Sequence, residues 1–194
     1  MSEGLTAPQQ ASDQDWVLQV EKLSVQLQTE AGVQDAVHLL DLALRRGETF
    51  ALVGESGCGK SMTAMALLRL LPEAARITSG SVQLAQTDLN LLPESRMRLL
   101  RGGQLAMVFQ EPSTSLNPVM PVGRQIVETL RVHTPYRGQA ARKRAIYWME
   151  RVGINDADKR YNDYPFQFSG GQKQRIMIAI ALAAEPVVLI ADEP

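Results

Sequence analysis

An apolar pentapeptide, Thr49-Phe50-Ala51-Leu52-Val53, runs directly into Gly54-Glu55-Ser56-Gly57-Cys58-Gly59-Lys60-Ser61. Nothing else in the chain restricts its fold so tightly. The pattern G-x-x-x-x-G-K-[ST] between a strand and a helix lets successive backbone N–H groups curl around an anion, because the glycines remove the side chains that would block it. Lys60 supplies a charge for the β and γ phosphates of a nucleotide, and the Ser61 hydroxyl can ligate Mg²⁺. The dipole of the following helix, predicted over Lys60 to Leu71 and stopped at Pro72, reinforces the cradle. A chance glycine-rich turn would need neither flank. The nucleotide-binding run extends from Gly54 through Met62, and Met62, Met65 and Met97 are packing or surface residues rather than metal ligands.

A second strand carries acid. Val187 to Ala191 is continuously apolar and delivers Asp192 and Glu193 at its C-terminal end, where ligands bind in open α/β sheets. Strands often end in carboxylates simply because solvent begins there. Beside a phosphate loop, however, Asp192 becomes a partner for Mg²⁺ and Glu193 a candidate base to polarise the attacking water. Shortly upstream, Phe168-Ser169-Gly170-Gly171-Gln172, followed by Gln174 and Arg175, places a serine and two glycines at a helix start. That is either an ordinary capped helix or a second anion-binding terminus.

These runs together resemble the ATP-binding cassette family, over the span from about Trp16 to Pro194. The resemblance implies a P-loop α/β core of ABC type, with an antiparallel β subdomain and a helical subdomain, and with a C-terminal part missing. It makes Ser169 to Gln172 the signature that closes over ATP held by Lys60 of a second ATPase subunit, in a homo- or heterodimer. It makes Gln110 the Q-loop glutamine, reaching the metal and the attacking water, so that Ser61, Gln110 and Asp192 surround Mg²⁺ and Glu193, Gln110 and Lys60 serve hydrolysis. The segment Glu111-Pro112-Ser113-Thr114-Ser115-Leu116-Asn117-Pro118, with Tyr164-Pro165 and Ile190 to Pro194, is similar to importers of oligopeptides, dipeptides, nickel and glutathione. Such a subunit works at the cytoplasmic face of the inner membrane, bound to transmembrane permease subunits and served indirectly by a substrate-binding protein.

Two departures accompany the resemblance. Leu27 stands where family members commonly carry an aromatic that stacks on adenine, so no residue is assigned to stacking. The loop after the catalytic glutamate and the switch histidine are expected beyond Pro194, and His38 and His133 are ordinary surface or loop histidines. The strand that follows the acidic strand in such ATPases inserts between it and the phosphate-loop strand. Without it the 194-residue chain is expected to be poorly folded and inactive.

Composition narrows partners and compartment. A formal charge of −1 argues against a basic nucleic-acid surface, no apolar run has membrane-spanning length, and one cysteine cannot close an intramolecular disulfide. Domain boundaries are expected at 1–15 for a polar leader, 16–110 for the nucleotide-binding core with its β subdomain, 111–186 for the helical subdomain, and 187–194 for the acidic strand. Two rival readings share the motifs: a soluble cassette ATPase of translation or DNA repair, and a non-catalytic nucleotide-binding fragment.

Overall fold

Leu18, Val20, Leu23 and Val25 are all at most 3% exposed, although strict alternation would send Leu23 and Val25 to the opposite face from Leu18 and Val20. The computed structural model, which describes residues 16–193, resolves this with a bulge. Lys22 takes φ 48 where the register shifts, and its N–H donates to Asp41 Oδ1 at 2.8 Å. Both halves of β1 (Trp16–Thr29) thereby face one core. β1 pairs antiparallel with β2 (Gly32–Arg45) on one side and β3 (Ala75–Leu84) on the other, and β4 (Thr87–Asp88) completes the sheet in the order β2-β1-β3-β4.

The helix α1 (Lys60–Leu67) supplies Ala64, Ala66 and Leu67 to the same apolar cluster, together with Leu105 and Met107 of β5 (Leu105–Val108) and Val188 of β6 (Val188–Ala191). α1 is shorter than the periodicity predicts. Arg69 enters the left-handed region at φ 53 and stops the helix before Pro72 is reached. After β4, α2 (Glu94–Leu100) buries Met97 completely.

β5 and β6 form a separate parallel pair in which Leu105 faces Val188 and Val108 faces Ala191. Between them in sequence lie α3 (Pro112–Ser115), α4 (Val122–His133), α5 (Gly138–Arg151), α6 (Ala157–Arg160) and α7 (Gly170–Leu182). Their apolar faces close on a cluster of their own, including Ile126, Leu130, Met149 and Ile176, each fully buried. A small third cluster, Ala106 and Val108 of β5 against Met177 and Ala181 of α7, joins the two.

Three sequence expectations change. Thr49–Val53 belongs to no strand or helix, and Phe50, Leu52 and Val53 are left 51, 41 and 89% exposed. A parallel strand exists only through its neighbour, and no described segment pairs with this one. His133 is no loop histidine, since it closes α4 and is partly buried. The third change is the early end of α1. The expected leader Met1–Asp15 and Pro194 lie outside the described residues. Among the described residues no helix is long and apolar enough to cross a membrane.

Candidate functional site

The glycine-rich loop from Gly54 to Gly59 leads into α1 through backbone geometry that glycine alone adopts freely. Gly57 has φ 82 and Gly59, the residue before the helix, φ 95. A Cβ at Gly59 would also collide with the Ala36 carbonyl of β2, so the loop sits tightly against the antiparallel sheet. Lys60 Nζ turns back over the loop and donates to the carbonyls of Gly54 at 2.9 Å and Glu55 at 2.8 Å, with Cys58 Sγ 3.9 Å away. Its charge thus lies over the glycine loop. Met62 is half-buried and packs on the apolar core.

The parallel pair delivers the acidic residues to this loop. The Asp192 N–H donates to the Val108 carbonyl at 3.0 Å, continuing the β5–β6 ladder past its last strand residue. Ser61 Oγ then donates to Asp192 Oδ1 at 3.1 Å, and Gln110 Nε2 to Glu193 Oε2 at 2.6 Å. Ser61, Asp192, Gln110 and Glu193 therefore meet in two hydrogen-bonded pairs. Glu193 holds φ 47, a conformation costly for a residue with a side chain. A hydroxyl, a carboxylate and the free Oε1 of a carboxamide are hard oxygen donors, the kind Mg²⁺ takes in small number while keeping its waters. The residues present fit that ion, and among the described residues no group of three or more His, Cys, Asp or Glu comes together as a metal site.

Ser169, Gly170, Gly171 and Gln172 open α7. Gln172 N–H donates to Ser169 Oγ at 3.4 Å and Ser169 N–H to Gln172 Oε1 at 3.1 Å, a reciprocal cap. Ser169, Gly170 and Gly171 are exposed, so the helix terminus can be approached from outside. No hydrogen bond joins it to the loop from Gly54 to Gly59 among the described residues.

Other residues of functional weight carry no sequence signal. Gln125, 7% exposed, accepts from Asn117 N–H at 3.0 Å and donates to the carbonyls of Asn117 and Met120 at 2.9 and 2.8 Å. It fixes the loop that follows Gln110. That loop borders a cleft of about 1010 Å³ lined by Val119, Arg124, Arg131, Arg137 and Tyr164 among others. A buried glutamine at helical spacing looks like any amphipathic residue until its partners are known.

The chain is similar to known proteins over most of its length. A family model described as "ABC transporter" matches residues 37–194. A Brucella abortus (strain 2308) protein, provisionally named for peptide import, is 51% identical over 178 residues, covering 92% of this chain and 54% of the relative. The dipeptide transport ATP-binding protein DppD of Bacillus subtilis (strain 168) is 46% identical over 179 residues, covering 92% and 53%. The chain spans about half the length of the curated relatives it matches. A dimeric ATP-binding cassette in a post-hydrolysis state, bound to ADP and Pi, superposes with a TM-score of 0.80 at 25% identity, over 90% of this chain and 73% of that one.

Proposed function

We infer, since the chain belongs to the ABC transporter family, that it forms the nucleotide-binding part of the ATP-hydrolysing subunit of an importer of peptides or related small solutes. The observation that carries this reading is the convergence of Ser61, Asp192, Gln110 and Glu193 beside the Lys60 loop. Relatives named for dipeptide and oligopeptide transport support the choice of cargo class.

ATP binds with its phosphates against the loop from Gly54 to Ser61, and Lys60 exchanges the Gly54 and Glu55 carbonyls for phosphate oxygens. Ser61, Asp192 and Gln110 hold Mg²⁺, which supplies charge neutralisation at the phosphates when bound. Glu193 accepts a hydrogen bond from the attacking water and polarises it for in-line displacement, and Gln110 orients that same carboxylate. The exposed Ser169 to Gln172 terminus of a second subunit covers the γ phosphate, so hydrolysis depends on a dimer. The similarity to a dimeric cassette supports this arrangement.

Transmembrane permease subunits dock on the helical part, where the loop ordered by Gln125 borders the cleft, and a substrate-binding protein acts indirectly through them. The chain then works as a peripheral subunit on the cytoplasmic face of the inner membrane. The domain boundaries follow the same division: nucleotide-binding core at 16–110, helical part at 111–186, and acidic strand from 187.

Calorimetry with MgATP, turnover measurements and co-purification with permease subunits test the reading. MgATP binding and permease association are the expected results. Hydrolysis stimulated by nucleic acid would instead indicate a cassette ATPase of translation or DNA repair. Binding without turnover in any assembly would indicate a non-catalytic nucleotide-binding protein.

A further inference from the structure

The turn Arg101-Gly102-Gly103-Gln104, just ahead of β5, touches every element that carries the Lys60 site. The Arg101 side chain is 17% exposed. Its Nε donates to the Leu68 carbonyl at 2.7 Å and its Nη2 to the Arg69 carbonyl at 3.2 Å, both just past the end of α1. The guanidinium also forks onto the Glu94 carboxylate, with Nη1 at 2.5 Å and Nη2 at 3.2 Å. Gly102 and Gly103 lie against the His133 imidazole at the end of α4, and a Cβ on either would stand 2.9 Å from a ring nitrogen. The Gln104 carbonyl accepts from the N–H groups of Val187 and Val188 at 2.9 and 3.0 Å, at the start of β6.

One turn therefore holds α1 with Lys60 and Ser61, β5 leading to Gln110, β6 leading to Asp192 and Glu193, and α4 of the helical cluster. It does so at the ends of these elements remote from the phosphates. The last carbonyls of a helix need outside donors, and Arg101 supplies them with a planar fork that resists reorientation. An eight-residue helix is only about 12 Å long, so a tilt imposed at its C-terminal end displaces its first residues.

We propose that the Arg101–Gln104 turn is a positioning joint for the nucleotide site: Arg101 sets the tilt of the phosphate-loop helix, and His133 seated on Gly102 and Gly103 passes displacements of the helical cluster to it. The proposal rests on the reading of Gly54 to Ser61 as a nucleotide loop. An arginine that merely stabilises the fold would lower the unfolding temperature but leave loop geometry alone. Arg101 as a joint must change the loop.

The test measures MgATP affinity by calorimetry and the alkylation rate of Cys58 in nucleotide-free protein, with thermal unfolding alongside. Arg101→Met should weaken MgATP binding about tenfold and alter the Cys58 rate, while Arg101→Lys, which keeps charge but cannot fork, recovers only part. Gly103→Ala should weaken binding about threefold, and His133→Ala in the same chain should restore part of it, leaving the Leu99 carbonyl contact in place. If Arg101→Met fails to fold, Glu94→Gln, which loosens the fork without emptying the site, carries the same expectation at smaller amplitude. Folded variants that lose thermal stability yet bind MgATP with parental affinity and alkylate Cys58 at the parental rate would overturn the proposal. If the parent itself binds no MgATP, the nucleotide reading fails with it, and the Cys58 rates alone decide whether the turn moves the loop.

Discussion

Ser61 Oγ donates to Asp192 Oδ1 across 3.1 Å, a contact between residues 131 positions apart in the chain. A bound Mg²⁺ would draw on the same two oxygens. Ser61→Ala should therefore leave metal-free ATP binding nearly intact while cutting the enhancement that Mg²⁺ gives about tenfold. Titrating ATP with and without Mg²⁺ checks this, and an unchanged enhancement would remove Ser61 from the metal site.

Lys60 holds the carbonyls of Gly54 and Glu55. Lys60→Ala removes that tie and the phosphate-directed charge together. ATP affinity should fall by about ten- to a hundredfold, in keeping with a lost hydrogen bond to a charged group. Parental affinity in calorimetry would rule out the assigned role.

Glu193→Gln keeps the shape of the side chain and can still accept from Gln110 Nε2 through its Oε1. In an assembly that hydrolyses ATP, turnover should drop by about a hundredfold or more with ATP affinity retained, because an amide is a far poorer base. A single-turnover assay showing near-parental cleavage would exclude Glu193 as the water-polarising group.

Cys58 is exposed in the loop and sits 3.9 Å from the Lys60 ammonium. A thiol reagent should modify it in empty protein, and saturating MgATP should slow the adduct seen by mass spectrometry. Equal rates in both states would mean that nucleotide does not cover Cys58.

His133 gives a pH dependence with a fixed sign. Desolvation against the core holds its pKa below the usual 6.5, partly offset by the Leu99 carbonyl, which favours the charged form. Glu128 of its own helix lines the same cleft, and Arg101 of the facing turn has its charge paired with Glu94. The neutral ring contributes stability in full above pH 6.5, and the contribution is lost as pH falls through the lowered folded value. His133→Gln should flatten the acidic side of the stability curve. A His133→Gln protein with the parental slope between pH 7 and pH 5 would place the pH dependence elsewhere, in a window set by the histidine range.

How much of this was legible in sequence depended on how far each feature reaches along the chain. The cradle from Gly54 to Gly59 and the cap at Ser169 are local backbone properties, and their residue types declare them. The acidic strand was readable as well, since Val187 to Ala191 is apolar throughout. Thr49–Val53 misled because an apolar run names a strand but not its neighbour. Arg101 was illegible, since its importance comes from carbonyls of Leu68 and Arg69 that any residue could present. The bulge at Lys22 hid in a broken alternation that reads equally as two short strands.

The parallel pairing of β5 with β6 also sets when the site can exist during folding. The β1–β2 hairpin closes through residues as near as Thr29 and Gly32, and the helices find contacts among their neighbours. Joining Gln110 to Glu193 instead requires closing a span of 83 residues, and the Ser61–Asp192 contact one of 131. Each doubling of such a span costs about 0.6 kcal/mol of chain entropy before any contact repays it. Long-range parallel pairing is correspondingly slow to form. On these entropic grounds the β1–β2 hairpin and the helices form ahead of the chemistry that joins Ser61 to Asp192.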